Sequence, residues 1–137
     1  MHKLIEILHS GNHSLVVANG EIRTFNKKGV ADLYHLYTSD PLFLNGSEVA
    51  DKVIGKGAAA LMVMGKVRNV YADVISEPAL ALLHDNHLSV TYSRKVENII
   101  NRQGTGICPV ETLCLNCKSA AECLPLIDNF MKSKIKN

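Results

Sequence analysis

Residues Asn69–Leu83 read NVYADVISEPALALL. The β-branched and aromatic residues of VYADVIS predict a strand over Val70–Ser76. Ser-Glu-Pro then breaks the run. Proline in the first turn, followed by small and apolar residues, predicts a helix over Pro78–His84. A second strand is predicted just beyond it, at Leu88–Ser93 (LSVTYS). Strands that alternate with helices belong to the α/β class.

Upstream, apolar residues at positions 4, 5, 7 and 8 predict a short helix over Lys3–His9, stopped by Gly11. Ser14–Ala18 and Glu21–Phe25 flank Asn19-Gly20, a strong hairpin signal. Gly29–Tyr37 places Val30, Leu33, Tyr34 and Tyr37 on one helical face, and Asp40-Pro41 ends it. Leu42–Leu44 is a short apolar link. Ser47 is read as the cap of a long helix running to Met64, with Gly65 as its stop. Downstream, Val96–Asn101 is expected as a helical turn and Thr105–Ile107 as loop or short strand. Pro109–Cys117 and Ala120–Lys132 are predicted helices, the second capped by Ser119 with Glu122 at the box position. The expected architecture is a three-layer α/β/α sandwich with a mixed sheet, starting with a β-hairpin. No linker, repeat or low-complexity segment divides the chain, so residues 1–137 read as one domain, with a cysteine-rich segment at 108–123 inside it.

Composition narrows the function classes. Of 137 residues 47% are hydrophobic, enough for a sizeable core. Fifteen basic and 13 acidic residues give a formal charge of +2, too balanced to argue for a nucleic-acid or membrane surface. Aromatics are 5% and tryptophan is absent, which weakens any base-stacking platform. Glu6 interrupts the N-terminal apolar stretch, so no signal peptide is expected. No uncharged run approaches the roughly 20 residues of a membrane span. Four cysteines are therefore expected as reduced thiols or metal ligands in a cytoplasmic protein.

The segments KKGVADLYHL (27–36), ADKVIGKGAAALM (50–62), NVYADVISEPALALL (69–83) and VENIINRQGTGICPVE (96–111) resemble an uncharacterised bacterial family, the domain-of-unknown-function 1893 family. ADKVIGK and CPVE are the most specific pieces. The resemblance implies a cytidine deaminase-like fold, and that fold invites a test by inspection. A zinc deaminase needs a His or Cys at the start of its central helix with Glu two residues on, and P-C-x-x-C at the next helix. Three protein ligands leave the fourth zinc position for the attacking water. None of the six histidines, at 2, 9, 13, 35, 84 and 87, has Glu at +2. The expected helix start, Gly46–Asp51, carries no His or Cys, and the second site reads Pro78-Ala79-Leu80-Ala81-Leu82. Zinc-dependent deamination is rejected on these residues, and no cofactor is expected at that position. The pairs His9/His13 and His84/His87 read as surface or loop histidines, with Gly11 breaking the helical spacing of the first.

In its place an anion pocket is expected. Lys52 and Lys56 would be i,i+4 neighbours on the long helix, with Asp51 beside them. Ser76, Glu77 and the N-terminus of the Pro78 helix would meet them from the strand end, where open α/β sheets bind ligands. Asn101 and Arg102 would add a donor for phosphate or carboxylate. The competing reading of Lys52 and Lys56 is a solvated charged face, and that of Arg102 a surface salt bridge.

The last constellation is CPVETLCLNCKSAAEC, with Cys108, Cys114, Cys117 and Cys123 at C-x5-C-x2-C-x5-C spacing. Thiolates with one CxxC suit zinc or an iron–sulfur cluster. A CxxC at a helix end also suits redox chemistry, and buried cysteines can be plain small hydrophobes. Cys108 precedes Pro109 at a helix N-cap, where the dipole activates a thiol, while Glu111 can bond back to its backbone N–H. Two classes stay open. One is a metal-independent site that binds or transforms a small anionic, nucleotide-like ligand, with Asp51, Lys56, Glu77 and Cys108 as catalytic candidates. The other is a non-catalytic binding, redox- or metal-sensing module built on the four cysteines. Homo-oligomerisation is compatible with either.

Overall fold

The computed structural model describes residues 1–27, 29–100 and 104–136. A first helix, α1 (His2–Ser10), leads into the hairpin β1 (Leu15–Asn19) and β2 (Glu21–Phe25). Two helices follow, α2 (Ala31–Ser39) and α3 (Pro41–Leu44). Strands and helices then alternate: β3 (Glu48–Ile54), α4 (Lys56–Met64), β4 (Asn69–Ser76), α5 (Glu77–Asp85) and β5 (Ser89–Val96). The described chain ends with α6 (Pro109–Cys114) and α7 (Ala120–Lys136). The sheet order is β2-β1-β3-β4-β5, with β1 antiparallel to both neighbours and β3, β4 and β5 mutually parallel. This is the expected mixed sheet.

The hairpin forms at Asn19-Gly20 as expected, but more tightly. Asn19 faces Glu21 in the register, and Gly20 alone turns the chain at φ +82°, a left-handed conformation glycine adopts without strain. Asn19 ties the turn to α3 by donating to the carbonyls of Phe43 (2.9 Å) and Asn45 (3.0 Å).

The largest departure is Ser47–Met64. It is not one helix but β3, then Gly55 in an extended conformation, then α4. Ser47 caps nothing. Among the described residues its buried hydroxyl has no hydrogen-bond partner, while its carbonyl accepts from Arg68 and Asn69. Within EVADKVI, Glu48–Asp51 pair with β1 on one side and every residue except Lys52 pairs with β4 on the other, and these two ladders outweigh the segment's weak helical preference. Val96 likewise closes β5 rather than opening a helical turn. Ile107 does pair, in a single bridge with Ile100.

Leu4 and Leu8 of α1 cover one sheet face through Val16 and Ala50. The other helices pack on the opposite face over Val17, Val49, Val70, Ala72 and Ile75. Layering is therefore α/β/α, with one thin layer. Strand alternation slips once. Val49 and Ile54 share one core although five apart, as do Ala72 and Ile75 although three apart. The slip lies beside Asp51, whose Oδ1 accepts from the Val53 N–H at 3.2 Å. It leaves Val53 46% exposed. No described helix is long and apolar enough to cross a membrane.

Candidate functional site

The C-terminal ends of β3 and β4 release the chain into α4 and α5, whose first turns carry unpaired backbone N–H groups. Ser76 caps α5, its Oγ accepting from the Ala79 N–H at 3.3 Å. Gly55, at the start of α4, has no side chain to do the same. Glu111 from α6 supplies the missing acceptor. Its Oε1 accepts from the Lys56 N–H (2.9 Å) and from the Ser76 hydroxyl (2.6 Å). Its Oε2 accepts from the Ile99 N–H. The residue is 1% exposed. Three donors thus converge on one buried carboxylate at a helix N-terminus, a setting that favours negative charge.

The Lys56 side chain runs the other way. Lys56 is 7% exposed, and its Nζ donates to the carbonyls of Leu115 (3.1 Å) and Cys117 (2.6 Å) beyond the end of α6. Each helix therefore caps the other: Glu111 of α6 closes the start of α4, and Lys56 of α4 closes the end of α6. Gly57 makes room for this. A Cβ there would lie 2.3 Å from Val110 Cγ1.

Beside Lys56 lies a thiol cluster. Cys114 ends α6 and Cys123 sits on α7, both fully buried, while Cys117 is half-buried. Cys123 acts electrostatically on both Cys114 and Cys117. The interaction between Cys114 and Cys123 lowers the Cys114 thiol and raises the Cys123 thiol. Burial pushes Cys117 up to about 11. The Lys56 ammonium favours the thiolate at all three.

The structure redistributes the expected site. Lys52 and Lys56 are not helical neighbours, because Lys52 belongs to β3. Lys52 Nζ reaches Asn12 Oδ1 (2.7 Å) after α1, whereas Lys56 turns into the opposite layer. Glu77 pairs with Lys95 at 3.7 Å in an exposed contact. Lys52, Lys56 and Glu77 each reach a different partner. Asn101 and Arg102 lie outside the described residues. Asp51 stays within β3, and burial, with Asp73 adding, pushes its carboxyl up to about 8. Cys108 lies at the far end of α6 from the other thiols. Its N–H goes to the Ile99 carbonyl (2.8 Å), not to Glu111. So three of the four cysteines meet and the fourth does not. Among the described residues no group of three or more His, Cys, Asp and Glu side chains is arranged to hold a metal ion.

Two features are beyond the reach of sequence patterns. Glu111 shows there only as a capping-box residue, since its partners are 55, 35 and 12 positions away. The other is on the α1 face, where His9 Nε2 meets Asp73 Oδ1 at 2.7 Å and the Tyr71 hydroxyl donates to the same oxygen at 2.6 Å. His9 reads from sequence as a surface residue, and no local signal links it to Asp73, 64 positions on.

The family model described as a domain of unknown function (DUF1893) matches residues 3–131. The chain belongs to the DUF1893 family. A crystal structure of a DUF1893 family protein from Thermotoga maritima superposes with a TM-score of 0.86 at 27% identity, over 93% of this chain and 87% of that one. No curated protein matches. This DUF1893 chain thus shares its fold with a solved relative, and its chemistry has to be argued from its own residues.

Proposed function

We propose that this chain is a non-catalytic thiol-responsive module in which Cys117 and Cys123 form a reversible disulfide by exchange with a low-molecular-weight disulfide. The observation that carries this reading is the convergence of three thiols on one another beside a buried ammonium. Cys117 is the reachable member, being half-buried while Cys114 and Cys123 are covered. Its thiolate attacks one sulfur of the small disulfide, forming a mixed disulfide and releasing one thiolate. The Cys123 sulfur then attacks the Cys117 sulfur, and the second small thiolate leaves. Two protein thiols are oxidised, one small disulfide is reduced to two thiols, and the two protons end on the leaving groups. The cytoplasm, where small thiols and disulfides exchange, is the compartment this reading assigns.

Anion binding at Lys56 has less support. The backbone N–H and hydroxyl that would receive an anion already hold Glu111, and the ammonium is spent on two carbonyls. The deaminase-like reading of the fold rests on the parallel strands whose C-terminal ends start α4 and α5. In it the metal-bearing starts would be Lys56-Gly57-Ala58 and Pro78-Ala79…Leu82. The central helix starts at Gly55-Lys56 rather than at Ser47, and no His or Cys stands at either start.

The test is titration with oxidised glutathione, read by intact mass and peptide mapping. The expected product has lost two hydrogens and yields a Cys117–Cys123 cross-linked peptide. Cys108→Ser leaves it unchanged and Cys117→Ser abolishes it. A mixed disulfide that persists on Cys117, or first reaction at Cys108, would overturn the reading.

A further inference from the structure

The two edges of the sheet are unlike. Edge strand β2 has five residues, and its Arg23 is held by Asp40 (2.9 Å) and Glu21 (3.3 Å) and lies over the Phe43 ring at 3.8 Å. Edge strand β5 has eight residues, six exposed and two half-buried. It contains no proline or glycine, and among the described residues no strand lies beside its outer backbone groups. A long unprotected edge is a template for pairing.

Three of the exposed apolar residues lie on or beside this edge, whereas Ile22 and Leu42 lie elsewhere. Val53 is 46% exposed, Tyr92 42% and Ile100 55%. Val53, Val74, Val96, Ile99 and Ile100 line a groove of about 220 Å³ that Arg94 also borders. Arg94 makes no ion pair among the described residues. Exposed apolar surface next to an unpaired cation marks an interaction site rather than a finished surface.

We infer that β5 pairs antiparallel with β5 of a second copy about a twofold axis at Ser93, joining the two sheets into one. The sequence selects this register. With Ser93 opposite itself, Val90 faces Val96 of the second copy, Tyr92 faces Arg94, and Ser89 faces Glu97. Each dimer then holds two cation–aromatic pairs and two β-branched apolar pairs, the contacts that stabilise sheets. Moving the axis to Arg94 sets the two arginines against each other, and moving it to Tyr92 separates Tyr92 from Arg94. In the chosen register Val90 of the second copy abuts Val96 and extends over the exposed groove. A twofold contact uses the same patch on both copies, as the self-complementary strand requires. This pairing is independent of the thiol reading, since β5 carries no cysteine.

The experiment is sedimentation equilibrium of the full chain, with two variants. The expected mass is twice that of the 15.0 kDa chain. Ser93→Cys, oxidised with copper phenanthroline, yields a homodimeric disulfide between the two peptides that carry the substitution. Tyr92→Lys sets like charges opposite each other twice per dimer and weakens association about tenfold or more. A monomer at tens of micromolar overturns the inference. So does a dimer that fails to cross-link at position 93 or is unaffected by Tyr92→Lys. Should Tyr92→Lys unfold by circular dichroism, the cross-link alone decides.

Discussion

Replacing Glu111 by glutamine probes the whole junction with almost no change in volume. The carboxylate accepts from the Lys56 N–H and the Ser76 hydroxyl, both buried, and from the part-buried Ile99 N–H. Glutamine has one acceptor oxygen. With that oxygen towards Lys56 and Ser76, its amide N–H group faces the Ile99 N–H, donor against donor. The flipped rotamer leaves two donors facing a donor instead. At least one donor, part-buried or buried according to the rotamer, is orphaned, at about 1–3 kcal/mol. The remaining bonds lose their charge assistance, roughly another 1 kcal/mol in total. The expected cost is about 2–4 kcal/mol, which a domain of ordinary stability survives. Ser76→Ala removes one donor and leaves two, so it costs about 1 kcal/mol. The double variant falls short of the sum, because both changes break the same bond. Urea unfolding followed by circular dichroism measures all three. A Glu111→Gln variant within about 0.5 kcal/mol of the parent, or less damaged than Ser76→Ala, would refute the assignment of Glu111 as the hub.

Other outcomes follow from single contacts. The Asp51 carboxyl sits at about 8 in the folded chain, against about 4 unfolded. Its neutral form is the one folding favours, so that contribution is full below about pH 4 and is lost as pH rises towards 8. Asp51→Asn, which keeps the acceptor for Val53, is therefore expected to gain about 1–3 kcal/mol over the parent at about pH 8 and nothing at about pH 4; equal stabilities at both would refute it. Gly57→Ala gains about 1 kcal/mol in helix propensity, but its Cβ would stand 2.3 Å from Val110 Cγ1. A net loss of about 1–2 kcal/mol in thermal unfolding, with faster thiol titration as α6 lifts, is expected. Ser47→Ala removes a buried hydroxyl without a partner among the described residues. It is expected to be neutral or to stabilise by about 1 kcal/mol, and a loss above that in chemical denaturation would show an unseen partner.

What the sequence made legible was local. The hairpin, the strands Val70–Ser76 and Leu88–Ser93, and the helices after Pro78, Pro109 and Ser119 all carry their signals within a few residues, and each forms at its place. Ser119 caps α7 by accepting from the Glu122 N–H at 3.2 Å, though Glu122 reaches back to Lys118 rather than to Ser119. Glu48–Ile54 is misread because its partners are remote. EVADKVI reads as a weak helix until β1 and β4 flank it, and Gly55, which reads as a small helical residue, is the strand's end. That one misreading carries the site with it. Lys52 and Lys56 would be neighbours on one helix; instead Lys52 stays in β3 and reaches Asn12 after α1, while Lys56 opens α4 in the opposite layer.

The cysteine segment could not be placed from spacing for a related reason. Helix α6 has six residues, too few to hold itself together in water. Its position is imposed from outside by Glu111 on the start of α4, by Lys56 on the carbonyls of Leu115 and Cys117, and by Val110 in the space over Gly57. Cys114 and Cys117 are therefore brought to Cys123 by contacts that involve no sulfur. Thiol geometry and the stability of the α4 start are then one property. A disulfide at Cys117 pulls on the carbonyl that holds Lys56, and a broken Glu111 contact frees the thiols. The order in which variants weaken the fold should match the order in which they speed reaction of the buried thiols with a small disulfide.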